Sequence, residues 1–394
     1  MGTQEKRERV LVFSSREICY LSSNFFAHQI GAAFEALGYE ADICELSKDE
    51  DLDAKLEPLL GQEYRVILDF NSLLPRMVME DGTPYIEKLK GPFFDYILDH
   101  PLFHYMGLTS GGANLHALVL DEAQEEYVRI YYPNTASVHT LPLGATKAIY
   151  AGEKEAECRI LFPGTYDSPE AVYGIIKESP EPLCGMMKEL IERRIAEPLI
   201  PMEEAFRQYL KEQDMELPVE QFALFMNSMY SVDAYIRDYF RKMALDELLD
   251  CGLPITVMGE GWEKYHHKDE HSLRREPAVS FGLSFERIAK SHILLNVSPI
   301  FNHGMHDRIP AGMANRAVVL TDYNSYLASR FEDEREVAFY SLKDLSTLSA
   351  KAERLITDTY LREGIAERAY REFEEHQTWI CRAKAILAMA DGLK

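Results

Sequence analysis

The sequence has few basic residues for its size. Its 394 residues include 42 Lys and Arg against 65 Asp and Glu, which gives a formal net charge of −23. A surface this acidic repels nucleic acids and anionic lipids, so we do not expect broad non-specific binding to either. This charge does not exclude a local cationic pocket for a small phosphorylated ligand.

Long hydrophobic runs and paired cysteines are also missing. The longest apolar stretches, such as residues 293–297, are far too short to span a bilayer, and residues 1–10 lack the apolar core of a signal peptide. The scattered cysteines form no CxxC pair, which favours reduced thiols over a disulfide framework. They are Cys19, Cys44, Cys158, Cys184, Cys251 and Cys381. We therefore expect a cytoplasmic protein without an integral membrane segment.

The chain is too long for one typical hydrophobic core, and its strand and helix patterns divide it into two domains. In residues 1–155, apolar spacing over 25–37 followed by Gly38 predicts a helix. Short runs rich in β-forming residues predict strands at 9–14, 40–46, 65–70, 93–98 and 116–121. Strands that alternate with helices imply a parallel sheet, so we expect an N-terminal Rossmann-like domain.

Residues 156–394 repeat this α/β pattern with a helical interruption. Strands are predicted at 159–162, 255–258, 278–281, 292–297, 317–321 and 337–340. Residues from about 169 to 250 are rich in helix formers, which indicates an all-helical insertion after the first of these strands. From residue 349 the chain is predicted to be helical to its end, and these terminal helices could pack back on the first domain.

Short motifs lie at the predicted strand ends of the second domain. Leu295-Asn296 leads into a loop that contains Gly304, Arg308 then begins a helix, and Thr321-Asp322 ends the next strand. Further motifs are Phe162-Pro163-Gly164-Thr165-Tyr166, Phe339-Tyr340-Ser341 and His376-Gln377-Thr378-Trp379 in the second domain, and Asp69-Phe70-Asn71, Asp99-His100-Pro101 and Leu141-Pro142-Leu143-Gly144 in the first. No single motif is specific, but their combination is.

In this combination the sequence resembles the group 1-type glycosyltransferases of the GT-B architecture, and among them the spore-maturation-protein-like (CgeB-like) family. The resemblance is strong over about residues 279–390, fair over 64–166 and weak in the helical insertion. It implies a GT-B fold, in which two Rossmann-like domains face a cleft. It further implies a bacterial, hexosyltransferase-type enzyme that moves a sugar from a nucleotide-diphosphate sugar to an acceptor hydroxyl, without a metal or other cofactor.

Two positions depart from the family pattern. Many group 1-type enzymes carry a Glu three residues after the Arg, where it holds the donor ribose, whereas this sequence has Ala311. The small Gly that usually precedes the following strand is replaced by Arg316. These changes leave two alternatives open: a non-catalytic nucleotide-sugar-binding protein on the same scaffold, and a GT-B-like nucleotide-sugar epimerase, which the missing Glu disfavours.

Arg308 is the main candidate for contact with the donor diphosphate. A position at a helix start adds its charge to the helix dipole, and the preceding loop supplies backbone N–H donors and the imidazoles of His303 and His306. Arg308 could instead pair with Asp307 or cap the sheet edge. We favour the diphosphate contact because charged residues at strand ends line the ligand crevice of open α/β sheets. The spacing of the histidines does not indicate a tetrahedral metal site.

Strand-end positions and the resemblance place further residues at the donor. These are Gly164, Thr165, Gly259, Gly261, Phe281, Ser284, Asn296, Ser298, Asn302, Gly304 and Asp322. Purely structural roles compete with this interpretation. The glycines at 259 and 261 could form a tight turn, Ser284 could cap a helix, and Asp322 could cap the turn that follows its strand.

Three residues of the first domain are candidates on the acceptor side. An enzyme that inverts the anomeric configuration needs a base to deprotonate the acceptor hydroxyl. Asp99 is preferred; His100 beside it and His28, at the start of the first helix, are the other candidates. A retaining enzyme needs no such base, and Asp99 would then anchor the turn before Pro101. The sequence does not indicate whether the acceptor is a glycan, a protein or a small molecule.

One segment runs against the overall acidity. Residues 287–316 contain four basic residues and a single acidic one, Asp307, so their local balance is +3. The basic residues are Arg287, Lys290, Arg308 and Arg316. We expect them to form a cationic site where a diphosphate would bind.

Overall fold

The computed structural model describes residues 7–15, 22–47, 49–155 and 158–393. These residues form two compact units. The first unit is formed by Met1–Gly144 together with Gln377–Lys394, and the second by Ala145–His376. Residues 156 and 157, at the domain boundary expected from the sequence, lie outside the described residues.

Residues 145–155, which we expected in the first domain, belong to the second unit. Hydrogen bonds within that unit explain this. The Ala148 N–H donates to Asn315 Oδ1 at 2.7 Å, and Lys154 Nζ donates to the Ser291 carbonyl at 2.7 Å. The backbone and side chains of this stretch are thus bonded to the connections of the second sheet.

The first unit is built on a parallel six-stranded sheet. Its strands are β1 (Arg9–Ser15), β2 (Glu40–Leu46), β3 (Val66–Phe70), β4 (Phe93–Tyr96), β5 (Leu115–Val119) and β6 (Ser137–Thr140), in the order β2-β1-β3-β4-β5-β6. The sequence did not predict β6, because this edge strand is short and polar. The order reverses between β1 and β3, and ligands of open α/β sheets bind at the carboxyl ends of strands at such a point.

Helices connect these strands. They are α1 (Ser22–Ala36), α2 (Leu52–Leu56), α3 (Tyr105–Ser110) and α4 (Glu122–Tyr131). The predicted first helix is confirmed: its buried face includes Phe26, Ile30 and Phe34, and the chain turns away at Gly38, where φ is +97°. The left-handed conformation at this position favours glycine.

The second unit has its own parallel six-stranded sheet. Its strands are β7 (Ile160–Pro163), β8 (Ile255–Met258), β9 (Leu273–Glu276), β10 (Ile293–Asn296), β11 (Val318–Asp322) and β12 (Ala338–Tyr340), in the order β12-β11-β10-β7-β8-β9. The strand predicted at 278–281 is wrong: the edge strand is β9, whose charged sequence LRRE gave no apolar signal. The order reverses between β7 and β10, which places a second ligand crevice at their carboxyl ends.

The connection from β7 to β8 contains the predicted helical insertion. Its helices are α5 (Pro169–Glu178), α6 (Leu183–Ala196), α7 (Met202–Glu212), α8 (Val219–Ser228) and α9 (Tyr230–Asp250). The remaining helices of this unit are α10 (Phe281–Lys290), α11 (Arg308–Ala314), α12 (Ser325–Ala328), α13 (Ser346–Thr357) and α14 (Thr359–His376). Arg241, in the middle of α9, donates to the Thr165 carbonyl just after β7, so this part of the insertion lies at the carboxyl end of the strand.

The last helix, α15 (Trp379–Gly392), returns the chain to the first unit. The ring of Trp379 lies 5.5 Å from that of Phe26 in α1, and Arg65 forms an ion pair with Asp391 at 2.5 Å. The sequence places this helix in the second domain along the chain, with the expectation that the terminal helices could pack back on the first domain, and α15 belongs to the first unit. Its packing within the first unit depends on contacts between residues far apart in the chain.

None of the helices in the described ranges is long and apolar enough to cross a lipid bilayer. The described cysteines are free thiols, and Cys44, Cys158 and Cys184 are buried. Cys19 lies outside the described residues.

Candidate functional site

Arg308 lies in the crevice at the reversal point of the second sheet. Its Nε donates to the Pro163 carbonyl at 2.8 Å, and its Nη1 lies 3.4 Å from Asn296 Oδ1, so it contacts the ends of both β7 and β10. Its guanidinium carbon lies 5.3 Å from the ring centroid of Phe162. Gly164 makes room for this side chain, since a Cβ there would come 2.7 Å from Arg308 Nη2. Asp307, the alternative partner, lies against His306 at 2.5 Å.

A second arginine, Arg241 of α9, reaches the same strand end. Its Nη1 donates to the Thr165 carbonyl at 2.9 Å and lies 3.4 Å from Asp238 Oδ1. Its guanidinium carbon lies 5.9 Å from the ring centroid of Phe162, so this ring lies near both arginines. Arg241 was not predicted from the sequence, because a basic residue on an amphipathic helix carries no local sign that the helix packs at a crevice.

Arg237, one turn earlier in α9, completes a group of three arginines. Burial lowers the pKa of Arg241, and the charges of Arg237 and Arg308 lower it further. Arginine nevertheless stays protonated at neutral pH. Among the described residues, no hydrogen-bond acceptor reaches the buried Nε of Arg237 or of Arg241. We call Arg237, Arg241 and Arg308 the arginine cluster; it combines mutual repulsion with unsatisfied donors, which an anion would relieve.

Behind Arg308, buried polar side chains join the ends of β10 and β11. Asn296 Nδ2 donates to Ser298 Oγ at 2.8 Å and to Thr321 Oγ1 at 3.0 Å. Asp322 accepts the Ser298 N–H at 2.9 Å, and burial raises the pKa of its carboxyl to about 6. Asp322 therefore does not cap the next turn, a role taken by Asn324. The network fixes the amide that meets Arg308; direct contact of these residues with a donor sugar stays a prediction.

In the loop from 302 to 306, His306 lies beside Arg308, with its Nε2 3.4 Å from Arg308 Nη1. Burial and the charge of Arg308 lower the pKa of His306. Asn302 is buried and donates to the Pro198 carbonyl at 3.0 Å, which ties the loop to the helical insertion. His303 and Gly304 face α12: His303 Nδ1 lies 2.5 Å from Ser325 Oγ, and the Gly304 carbonyl accepts from Asn324 Nδ2 at 3.1 Å.

Gly259 and Gly261 pack the loop after β8 against the loop after β7. Their φ angles are +147° and +82°, and a Cβ would come 2.2 Å from the Gly164 carbonyl oxygen and 2.0 Å from that of Tyr166. Only glycine allows this approach. The two glycines therefore have the structural role in a tight turn that was considered as the alternative. A direct donor contact by either glycine stays a prediction.

Phe281 and Ser284 lie in the first turns of α10. The helix begins at Phe281, so Ser284 is not its N-cap; its hydroxyl donates to the Phe281 carbonyl at 2.6 Å. The Phe281 ring lies 5.5 Å from that of Phe285. Nucleobase binding by this turn stays a prediction.

The four basic residues of segment 287–316 do not form one cationic site. Arg287 pairs with Glu276 at 2.7 Å and Glu155 at 2.9 Å, and Lys290 lies 3.6 Å from Glu155. Of the four, Arg308 lies in the crevice, where its cationic neighbours come from α9. The expectation that this segment forms one cationic site is therefore wrong, because residues that are close in the sequence lie apart in the folded structure.

Arg316 follows α11 and has a φ of +55°. The Ala317 N–H donates to the Gly312 carbonyl at 3.0 Å, which is the closing bond of a helix end that favours glycine at this position. The Arg316 guanidinium carbon lies 3.8 Å from the ring centroid of Tyr370. The glycine that usually occurs here is thus explained by helix termination.

In the first unit, Asp99 and His100 follow β4, and His28 lies on α1. Asp99 accepts a hydrogen bond from Asn71 Nδ2 at 3.0 Å and is partly exposed. His100 is buried and its Nδ1 accepts the Leu102 N–H at 3.0 Å, which is a helix-capping role. His28 lies on the exposed face of α1. Asp99 is partly exposed, His100 is tied to the backbone and His28 is exposed, and a catalytic role for any of the three stays a prediction.

Within the described part of the chain, no group of three or more His, Cys, Asp or Glu side chains is arranged to hold a metal ion.

Comparison with known proteins supports a glycosyltransferase scaffold. Residues 237–388 match the family model described as glycosyl transferase-like. The structure resembles sucrose-phosphate synthase from Thermosynechococcus elongatus (TM-score 0.54, 10% identity, 98% of each chain covered) and an α-glucosyltransferase solved with UDP-glucose and DNA containing an abasic site (TM-score 0.56, 12% identity, 98% of this chain and 100% of that chain). It also resembles HepE from Anabaena, solved with UDP and glucose (TM-score 0.51, 9% identity, 98% and 100% covered). No curated protein matches the sequence significantly.

The chain therefore has the two-domain α/β fold of the GT-B class, as the sequence predicted. Residues 237–388, which begin at Arg237 of the arginine cluster, match the glycosyl transferase-like family model. Together these findings support glycosyl transfer as the activity.

Proposed function

We propose that the protein transfers a sugar, of the hexosyl type, from a nucleotide-diphosphate sugar to an acceptor hydroxyl, and that it belongs to the CgeB-like glycosyltransferases. The observation that carries the proposal is the arginine cluster. Arg308 and Arg241 contact backbone carbonyls at and just after the carboxyl end of β7, where open α/β sheets bind ligands, and the charge of Arg237 acts on Arg241. A dianionic ligand of small size is the partner that this charge arrangement favours.

The chemistry of glycosyl transfer explains why such a cluster is useful. When the bond between the anomeric carbon and the diphosphate breaks, negative charge develops on the departing nucleoside diphosphate. Fixed positive charges in a partly buried site stabilise that charge more than water does, because they need no reorganisation. Arg308 and Arg241, held by backbone carbonyls at 2.8 and 2.9 Å, are oriented before the ligand arrives. We therefore propose that transfer is independent of a metal ion.

The structural neighbours suggest which donors to test first. The α-glucosyltransferase was solved with UDP-glucose, and HepE with UDP and glucose. UDP and UDP-glucose are accordingly the first probes, with GDP and ADP as comparisons for the nucleobase. We expect no nucleic acid partner, although DNA accompanies one of these neighbours. A cytoplasmic location and a bacterial origin stay predictions.

The binding test measures the thermal stability of the protein with UDP, UDP-glucose, GDP and ADP. A ligand that binds the folded state raises the melting temperature by mass action. Arg308→Ala and Arg241→Ala each remove a charged contact of roughly 1.5–3 kcal/mol, so each should weaken binding about 10- to 100-fold. Arg371→Ala is the matched control, because this exposed arginine pairs with Glu367 at 3.3 Å on the surface of α14.

The results separate the proposal from its alternatives. If no nucleoside diphosphate or nucleotide sugar changes the melting temperature, the proposed function is refuted. If UDP-glucose binds but no UDP is released on prolonged incubation, the non-catalytic binding protein becomes the better description. Conversion of the donor sugar without release of UDP would support the epimerase. Release of UDP that is unchanged by EDTA would support metal-independent transfer.

A further inference from the structure

The turn after β3 in the first unit has an unfavourable backbone conformation. Asn71 and Ser72 have φ angles of +56° and +52°, so two consecutive residues that are not glycine occupy the left-handed region. Such a conformation persists only where the surrounding structure determines it, and it is concentrated at functional sites. The turn also lies at the reversal point of the first sheet, at the carboxyl end of β3.

Neighbouring side chains hold this turn from two sides. The Ser72 N–H donates to Asp95 Oδ1 at 2.9 Å, and the Ser72 hydroxyl donates to Asp95 Oδ2 at 2.5 Å. Arg76 donates through Nε to the Ser72 carbonyl at 2.8 Å and through Nη2 to the Asn71 carbonyl at 2.7 Å. At Gly107 a Cβ would come 2.3 Å from that of Ser72, so glycine is needed there to admit the turn.

The consequence of this conformation is the placement of the Asn71 side chain. Its Oδ1 accepts the Leu98 N–H at 2.7 Å, and its Nδ2 donates to Asp99 Oδ2 at 3.0 Å. Asn71 is buried with 2% exposure, whereas Asp99 is partly exposed. The amide therefore bonds both the backbone N–H of Leu98 and the carboxylate of Asp99, the next residue, in the segment that follows β4.

We propose that Asn71 is a positioning residue that fixes the orientation of the Asp99 carboxylate toward the acceptor hydroxyl. This inference depends on the proposed function and deepens it. In the step concerned, the acceptor oxygen bonds to the anomeric carbon and its proton passes to Asp99. The bond from the anomeric carbon to the diphosphate oxygen breaks, and its electron pair leaves with the nucleoside diphosphate. An unfixed carboxylate would reach this geometry less often.

The test uses variants that keep the left-handed backbone. Asn71→Gly removes the amide while glycine accepts a positive φ readily, and Ser72→Gly is the matched control because it leaves the Asn71 amide in place. The readout is release of UDP from UDP-glucose with water as acceptor, measured as kcat and KM. We expect Asn71→Gly to lower kcat about 10- to 100-fold with KM for the donor unchanged, and Ser72→Gly to have a smaller effect.

A double-mutant cycle with Asp99→Asn decides whether Asn71 acts through Asp99. If it does, Asn71→Gly has no further effect once Asp99 is replaced, because the carboxylate that it positions is gone. An equal fold-loss in both backgrounds, or an Asn71→Gly variant as active as the wild type, overturns the inference while the proposed function stands. An Asp99→Asn variant with full activity also overturns it. If the wild type neither binds nor hydrolyses any nucleotide sugar tested, the proposed function fails as well.

Discussion

Replacement of Asp95 by asparagine should change how the stability of the first unit depends on pH. Asp95 and Asp69 are paired across β4 and β3, and both are fully buried. Burial raises the pKa of Asp95 from the ordinary 3.8 to about 6, against the opposing effect of its hydrogen bonds from Ser72. Burial and the charge of Asp95 also raise the pKa of Asp69. The folded unit therefore resists ionisation of this pair.

The sign and size of the effect follow from these pKa values. Between pH 3.8 and about 6 the folded state binds more protons than the unfolded state, so stability falls as pH rises through this window. A shift of about two pKa units corresponds to about 3 kcal/mol. Asp95→Asn removes the free-energy cost of ionising Asp95 in the folded state, and it lowers the cost of ionising Asp69 because the neighbouring charge is gone. The difference in unfolding free energy between the variant and the wild type should therefore increase, in favour of the variant, by about 3 kcal/mol from pH 4 to pH 7.

Fluorine NMR of protein labelled with 5-fluorotryptophan can measure this for each unit. The sequence has two tryptophans, and Trp379 lies in the first unit whereas Trp262 lies in the second. Urea unfolding followed at the Trp379 resonance therefore reports on the unit that contains Asp95. Asp53→Asn removes an exposed carboxyl from α2 of the same unit and serves as the control for the loss of one charge.

The reasoning is refuted if the difference in unfolding free energy between Asp95→Asn and the wild type is the same at every pH. It is also refuted if that difference changes in the opposite direction, since the folded state would then favour the ionised carboxyl. A change seen at the Trp262 resonance but not at Trp379 would place the titrating group in the other unit.

Three further predictions concern stability and reactivity. Gly259→Ala should destabilise the second unit by roughly 2–4 kcal/mol in urea unfolding, because it combines a positive φ with a contact of 2.2 Å to the Gly164 carbonyl oxygen. Arg316→Gly should change stability by less than about 1 kcal/mol, since relief at a φ of +55° offsets the lost aromatic contact. Brief alkylation of the folded protein should modify exposed Cys251 before buried Cys44, whose pKa burial raises to about 11, as read by peptide mass spectrometry.

Each of these has a control or a contradicting result. Gly252 also has a positive φ, +68°, but no neighbouring atom lies within 4 Å of a Cβ added there. Gly252→Ala therefore measures the cost of the backbone conformation without the steric clash. Equal losses for the two glycine variants would contradict the steric argument. Arg316→Val should cost more than Arg316→Gly, because a β-branched residue is disfavoured at positive φ. Modification of Cys44 at the rate of Cys251 would show that the first unit opens readily.

The fold was accessible from the sequence wherever strands are buried on both faces. The apolar runs VLVF in β1, VIL at the start of β3 and VVL at the start of β11 arise because helices cover both sides of a parallel sheet. The edge strands β6 and β9 gave no such signal, because their short sequences SVHT and LRRE are polar or charged. Helix α15 was assigned by its position along the chain, whereas its packing on α1 is a long-range contact.

The candidate site was predictable in part for the same reason. Arg308 is marked by local features, a strand, a glycine-bearing loop and a helix start, and all three are present. Arg241 has no such context, because its place beside Thr165 depends on how a helix of the insertion packs. The Asn71–Asp99 hydrogen bond likewise joins two strand ends through an unfavourable turn that residue propensities argue against.

By itself, then, the sequence determined two parallel sheets, a helical insertion, an acidic surface and a crevice arginine, because these depend on hydrophobic patterns and net charge. Tertiary structure decided which charges meet. It paired Arg287 and Lys290 with carboxylates, placed Arg316 on an aromatic ring, and brought Arg241 to Arg308. The low proportion of basic residues still disfavours long polyanions as partners. Tertiary packing determines which arginines lie together in the crevice, because the electrostatic energy of a charge depends on its neighbours in space and not on its neighbours in sequence.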